Sequence, residues 1–182
     1  MKQTRAQRTH ERVLDAAAHE FALHGYQSAK LHDVITRTGM TKGALYAHFP
    51  SKHHLATALV DDTAAHWQQP PAPQALTHLL HDLVTRLHTD PRFRAALRLT
   101  VDPDWTPEQP PVLYHRLHHH LTAAISAGHP ATPRPPHTHA HVILAVLHGT
   151  TRLSPAPAPH HIRQTTRILH ATLHTTRPPA PD

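Results

Sequence analysis

Eighteen of the 19 prolines in this 182-residue chain fall after residue 69, and they stand between the periodic apolar segments, not within them. Proline lacks a backbone N–H and clashes with the turn before it, so each cluster ends one helix or opens the next. The clusters at 70–73, 103–111, 128–136 and 154–159 therefore divide the chain into helical lengths. After the first cluster, Leu76, Leu79, Leu80, Leu83, Val84 and Leu87 repeat at helical spacing. Pro91 suits a first helical turn with Asp90 as its cap. Leu113, Leu117, Leu121 and Ile125 mark a further helix, HVILAVLHGTTRL (141–153) another, and Ile162, Leu169 and Leu173 the last. The 128–136 and 154–159 clusters are too short for flexible inter-domain linkers and read as stiff turns.

The first 69 residues hold only Pro50 and are punctuated by glycine instead. Val13, Leu14, Ala17, Ala18, Phe21 and Ala22 form one apolar stripe, expected to end at Gly25. Leu31, Val34 and Ile35 predict a short helix closed by Gly39; Leu45 and Phe49 are the inward pair of a third, opening at Thr41. Ser51 can cap a fourth that carries Leu55, Leu59, Val60 and Trp67. No segment makes a convincing strand. The expectation is an all-α chain of about nine helices.

All four lysines lie within residues 1–52, beside Arg5, Arg8, Arg12 and Arg37 and against Glu11, Asp15, Glu20 and Asp33. Most of the net charge of +6 is thus N-terminal, which suits a polyanionic partner there. The absence of cysteine excludes disulfides, thiol nucleophiles and thiolate metal sites. The first 30 residues lack the apolar core of a signal peptide, and no apolar run reaches spanning length, so a cytoplasmic location without membrane contact is expected.

Helix, glycine turn and short helix make a helix-turn-helix, whose second helix enters the major groove with its N-terminal residues toward the bases. In TKGALYAHFPSK (41–52), Thr41 caps and can reach a phosphate, and the helix N-terminus favours an anion. Lys42 can reach a guanine edge or a phosphate, Gly43 admits the DNA backbone, and Ala44 can touch a thymine methyl. Tyr46 and His48 should face outward because Leu45 and Phe49 face inward, and Lys52 adds a phosphate contact. Ser28 and Lys30 complete the expected DNA-contacting set.

FALHGY (21–26) followed by LHDVITRTGMTKGALYAHFPSK (31–52) resembles the DNA-binding domain of the TetR family, over about residues 8–60. The resemblance implies a DNA-binding domain at 1–52, a connecting helix at 52–67, a ligand-binding and dimerisation domain at 53–177 and a flexible tail at 178–182. It also implies a homodimeric repressor of a double-stranded operator, released by a small-molecule inducer, with no catalytic residue, cofactor or metal. HVILAVL is apolar on nearly every side, as a helix needs when it packs on its own core and a second subunit. Val142, Ala145, Val146, Leu169 and Leu173 are the expected interface residues. TKGALYAHF, LRLT (97–100) and HVILAVLHGTTR (141–152) are similar to the γ-butyrolactone-receptor branch of actinomycetes, which senses lactone or furan signals. The chain departs from that branch in having no tryptophan on the helix after residue 111; Trp105 lies just before it. The inducer pocket is expected among the segments 76–87, 93–100 and 112–126, with Leu80, Leu83, Val84, Leu97, Trp105, Tyr114, Leu117 and Leu121 as contacts.

Three other readings compete. An efflux or metabolic repressor of the same fold would sense a different hydrophobic ligand. A metal-responsive regulator would use His115 with His119 or His137 with His141, although a chain with 24 histidines makes such pairs by chance. An enzyme finds little support: adjacent His81 and Asp82 diverge on a helix, and no phosphate-binding glycine loop occurs.

Overall fold

The computed structural model describes residues 2–67, 76–108, 111–128, 135–153 and 159–171. Among them are nine helices and no strand: α1 (Lys2–Ser28), α2 (Leu31–Thr38), α3 (Lys42–His48), α4 (Lys52–His66), α5 (Leu76–Thr89), α6 (Pro91–Leu99), α7 (Val112–Gly128), α8 (Pro136–Leu153) and α9 (Pro159–Ala171). The all-α expectation is met, and no described helix is long and apolar enough to cross a membrane. The turns expected at 70–73, most of 128–136 and most of 154–159, Leu173 and the tail at 178–182 lie outside the described residues.

Packing groups the chain into two units that do not follow a division at residue 52. The first is Met1–Trp67 with Asp90–Tyr114; the second is Gln68–Thr89 with His115–Asp182.

In the first unit, the stripe Val13, Leu14, Ala17, Ala18 and Phe21 is buried where α1 meets α2, α4 and α6. Each large side chain so buried contributes about 1.5–3 kcal/mol of transfer free energy. Asp90 caps α6 by accepting from the N–H of Arg92 and Phe93, and Pro91 fills the first turn. Trp67, at the end of α4, stacks on Phe93 with ring centroids 5.6 Å apart. Helix α1 does not stop at Gly25. It kinks there, with φ 72° and ψ −176°, and continues to Ser28. Glycine is required at this kink because φ is positive and because a Cβ would stand 3.0 Å from Asp102 Oδ2 and 3.1 Å from Arg98 Nη2.

In the second unit, the six apolar residues of the α5 stripe are all buried, and α5 packs against α8 and α9. Helix α8 opens at Pro136, five residues before the expected 141, because proline's fixed φ suits a first turn where no N–H donation is needed. Ile143, Leu144 and Leu147 point into the unit.

Candidate nucleic-acid interface and a neighbouring cleft

Helices α2 and α3 are too short to persist alone, so their caps and their packing on α1 hold them. Gly39 ends α2 in the left-handed conformation, with φ 65°, and its N–H donates to the Thr36 carbonyl. Thr41 caps α3, its hydroxyl oxygen accepting from the Ala44 N–H at 3.2 Å. Leu45 and Phe49 are buried as expected, and the His10 ring lies 4.9 Å from that of Phe49. The opposite face is therefore left to solvent. Thr41, Lys42, Gly43 and Tyr46 are exposed, while Ala44 and His48 are half-buried beside them. Lys42 Nζ sits 5.9 Å from the Tyr46 ring centroid, a cation–π contact one helical turn apart. Ser28 and Lys30 are exposed just ahead of α2.

The N-terminal cations divide into two groups. Arg12 donates to the Thr38 carbonyl at 2.7 Å, and Arg37 pairs with the buried Glu20 at 3.6 Å, so both brace α2 against α1. Lys52, expected to contact phosphate, differs: its ammonium donates to the Gln27 carbonyl at 2.8 Å and lies 4.9 Å from the Tyr26 ring centroid. Burial lowers the Lys52 pKa, and the Asp102 carboxylate works the other way. Lys52 thus ties the first turn of α4 to the end of α1 because Tyr26, beyond the kink, offers a ring and Gln27 a carbonyl.

Two arginines of α6, which the sequence reading missed, anchor this domain. Arg92 bonds Glu11 at 2.8 Å, Asp15 at 2.7 Å and Asp62 at 3.0 Å, joining α1, α4 and α6. Burial works against its charge, but the hydrogen bonds to Asp15 and Glu11 outweigh that and raise its pKa. Arg98 Nη1 donates to the Ala22 and Leu23 carbonyls at 2.9 and 3.1 Å, and Asp102 accepts from the Tyr26 N–H at 2.8 Å. Only the acidic residues spaced one turn apart on α1, Glu11 and Asp15, offered a sequence signal for these ties.

The expected inducer contacts fall in both units. Leu97, Trp105 and Tyr114 belong to the first; Leu80, Leu83, Val84, Leu117 and Leu121 belong to the second and are buried there. A cleft of about 430 Å³ lies wholly in the first unit, between α4 and the segment after α6. Trp105 lines it, whereas the other seven expected contacts do not. Its α4 wall, which includes His53, Thr57 and Asp61, went unnoticed in the sequence because a polar helix face carries no sign of being concave.

On α8, Val142, Ala145 and Val146 are exposed, an apolar stripe at i, i+3 and i+4. Leu169 is fully buried in its own unit and cannot face a second subunit; Ile168 beside it is the exposed apolar residue of α9, 53% accessible. His118 and His141, which are not an i, i+4 pair, bring their rings to 4.3 Å across α7 and α8. Among the described residues, no three His, Asp or Glu side chains converge to hold a metal.

The family of bacterial regulatory proteins named for TetR matches residues 13–59, which run from the α1 stripe through the helix-turn-helix into α4. The A-factor receptor protein of Streptomyces griseus is 35% identical over 104 residues, 56% of this chain and 38% of the receptor. The matched segment thus spans less than two thirds of that relative. The TetR-family protein CprB of S. coelicolor A3(2) has 25% identity and a TM-score of 0.73, covering 96% of this chain and 93% of that one; CprB has also been solved with its biological operator sequence. A γ-butyrolactone receptor described as ArpA-like shares the fold at 23% identity and a TM-score of 0.65, over 94% and 98% of the two chains. Residues 13–59 thus match the TetR-family helix-turn-helix, and nearly the whole chain shares the fold of these regulators.

Proposed function

We propose that this protein is a transcriptional repressor that binds a palindromic operator as a homodimer in the cytoplasm and is released by a small lactone- or furan-type signal. The observation that carries the reading is the division of α3 into a buried face, Leu45 with Phe49, and an exposed face of Thr41, Lys42, Gly43 and Tyr46. A seven-residue helix with a cationic, glycine-opened N-terminal turn can enter the major groove, its cap placed against a phosphate. The similarity to the A-factor receptor protein supports the signal class. The apolar side chains of α5 and α7, among them Leu80, Leu83, Leu117 and Leu121, supply the surroundings such a molecule needs. Dimerisation would use the exposed Val142, Ala145 and Val146 of α8, setting the two α3 helices about 34–36 Å apart.

Gel-shift titration on DNA from upstream of the protein's own gene tests this, with and without an organic extract of the producing culture. Lys42→Ala should weaken binding by about 1–3 kcal/mol per subunit. A folded Lys42→Ala protein with wild-type operator affinity would remove α3 from the interface. Val146→Asp would bury a charge between subunits and should yield monomers in size-exclusion chromatography; a wild-type monomer at micromolar concentration would refute the dimer.

A further inference from the structure

The end of α6 and the turn after it grip α1 on both sides of its kink. Arg98 Nη1 donates to the Ala22 and Leu23 carbonyls before the kink, and Asp102 Oδ2 accepts from the Tyr26 N–H just after it, at 2.8 Å. The Asp102 carboxylate is itself oriented, because Oδ1 accepts from the Asp104 N–H at 3.1 Å. Next along α1 is Gln27, whose carbonyl accepts from Lys52 Nζ at 2.8 Å. The Tyr26 ring lies 4.9 Å from the same ammonium. Lys52 opens α4, four residues after α3 ends at His48. Short contacts therefore connect the turn after α6 to the start of α4, all within the first unit. Helix α3 has seven residues and cannot hold itself, so the elements at its two ends fix its pose. Arg12 braces the leading end through the Thr38 carbonyl, and Lys52 braces the trailing end.

We propose that Asp102 is a positioning residue for DNA reading: through Tyr26, Gln27 and Lys52 it sets where α4 begins, and so the angle at which α3 meets the bases. The inference rests on the repressor reading and deepens it, because it assigns part of the recognition geometry to a residue outside the helix-turn-helix. A phosphate contact acts through charge and tolerates a small shift of α3, whereas a contact to a base edge needs close alignment. Loss of Asp102 therefore falls on the preference for operator, not on DNA binding in general. The sign of the charge separates this from simple electrostatics. Removing a carboxylate makes the protein more positive, which by itself favours DNA. A weaker operator complex must then come from geometry.

The test uses the full-length protein and fluorescence anisotropy with two duplexes. One is the DNA from upstream of the protein's own gene; the other is a scrambled sequence of the same length and composition. All variants are compared at a temperature where circular dichroism shows them folded. Asp102→Ala should bind the upstream duplex at least about fivefold more weakly, the equivalent of one impaired base contact, and the scrambled duplex no more weakly than wild type does. Lys52→Met should do the same and keep the wild-type slope of affinity against salt, since no phosphate contact is lost. The double variant should be no weaker than the more affected single one, because both act through one chain of contacts. Wild-type preference in a folded Asp102→Ala protein, equal losses on both duplexes, a reduced salt slope in Lys52→Met, or additive losses in the double variant would each overturn the proposal. None of these outcomes touches the repressor reading, which the Lys42→Ala gel shift tests by itself. A wild-type protein with no preference for the upstream duplex would overturn both.

Discussion

The two units handle charge in opposite ways. In the first, cations meet partners: Arg92 holds three carboxylates, Arg37 holds Glu20, Arg98 holds two backbone carbonyls, and Lys52 sits under the influence of Asp102. In the second, the sequence provides only two side-chain carboxylates, Asp82 and Asp182, beside sixteen of the 24 histidines. Asp82 is paired with Arg86 at 3.1 Å. Burial lowers the His118 pKa and neighbouring His141 lowers it further; burial and neighbouring His119 do the same to His120. His148, buried and near Arg152, is pushed down to about 4. The first unit is thus braced by paired charge, whereas the second has few carboxylates and lowers the pKa of His118, His120 and His148.

The comparison breaks first at its most connected residue. Arg92→Ala would leave Glu11, Asp15 and Asp62 facing one another, and should destabilise the first unit by about 3 kcal/mol. Because Trp67 and Trp105 both belong to that unit, the loss should appear as an earlier unfolding transition in tryptophan fluorescence.

Acid should sharpen the contrast from the other side. The folded pKa of His148 lies below its unfolded value, so as pH falls the unfolded chain takes up the proton first. Stability from this residue is complete above about pH 6.5, declines as pH drops toward about 4, and is then constant. The loss should be roughly 3 kcal/mol. Circular dichroism should therefore report lost helix across this window before tryptophan fluorescence reports the first unit, and His148→Leu should flatten the slope. Coincident transitions by both probes would show that the units do not differ in acid sensitivity.

A smaller effect is expected at the end of α1. Asp102→Ala removes the acceptor of the Tyr26 N–H and the charge that favours protonated Lys52, and should cost about 1.5 kcal/mol. Raised salt should diminish the wild-type advantage. Gly25→Ala should cost at least as much, because φ 72° with ψ −176° is a region that essentially only glycine occupies and the new Cβ would press on Asp102 and Arg98. Chemical denaturation followed by fluorescence resolves both, and an Asp102→Ala protein as stable as wild type would mean that the kink holds itself.

The helices, their order and the binary division of α3 follow from local rules that a sequence displays. Proline stops helices, Thr41, Ser51 and Asp90 cap them, and apolar residues at helical spacing mark the face to be buried. Tyr46 and Lys42 could be placed on the outer face for that reason, and Val142, Ala145 and Val146 proved exposed on α8. What depends on residues far apart in the chain was decided only by tertiary packing. Arg92 reaches acids on α1 some 77 residues earlier, Lys52 turns from the expected phosphate to Gln27, Leu169 faces inward where Ile168 faces out, and α4 and Trp105 close around one cleft. A charged side chain has several partners within reach along a sequence, and a helix face is concave only relative to what packs beside it, so neither choice exists until the helices have met.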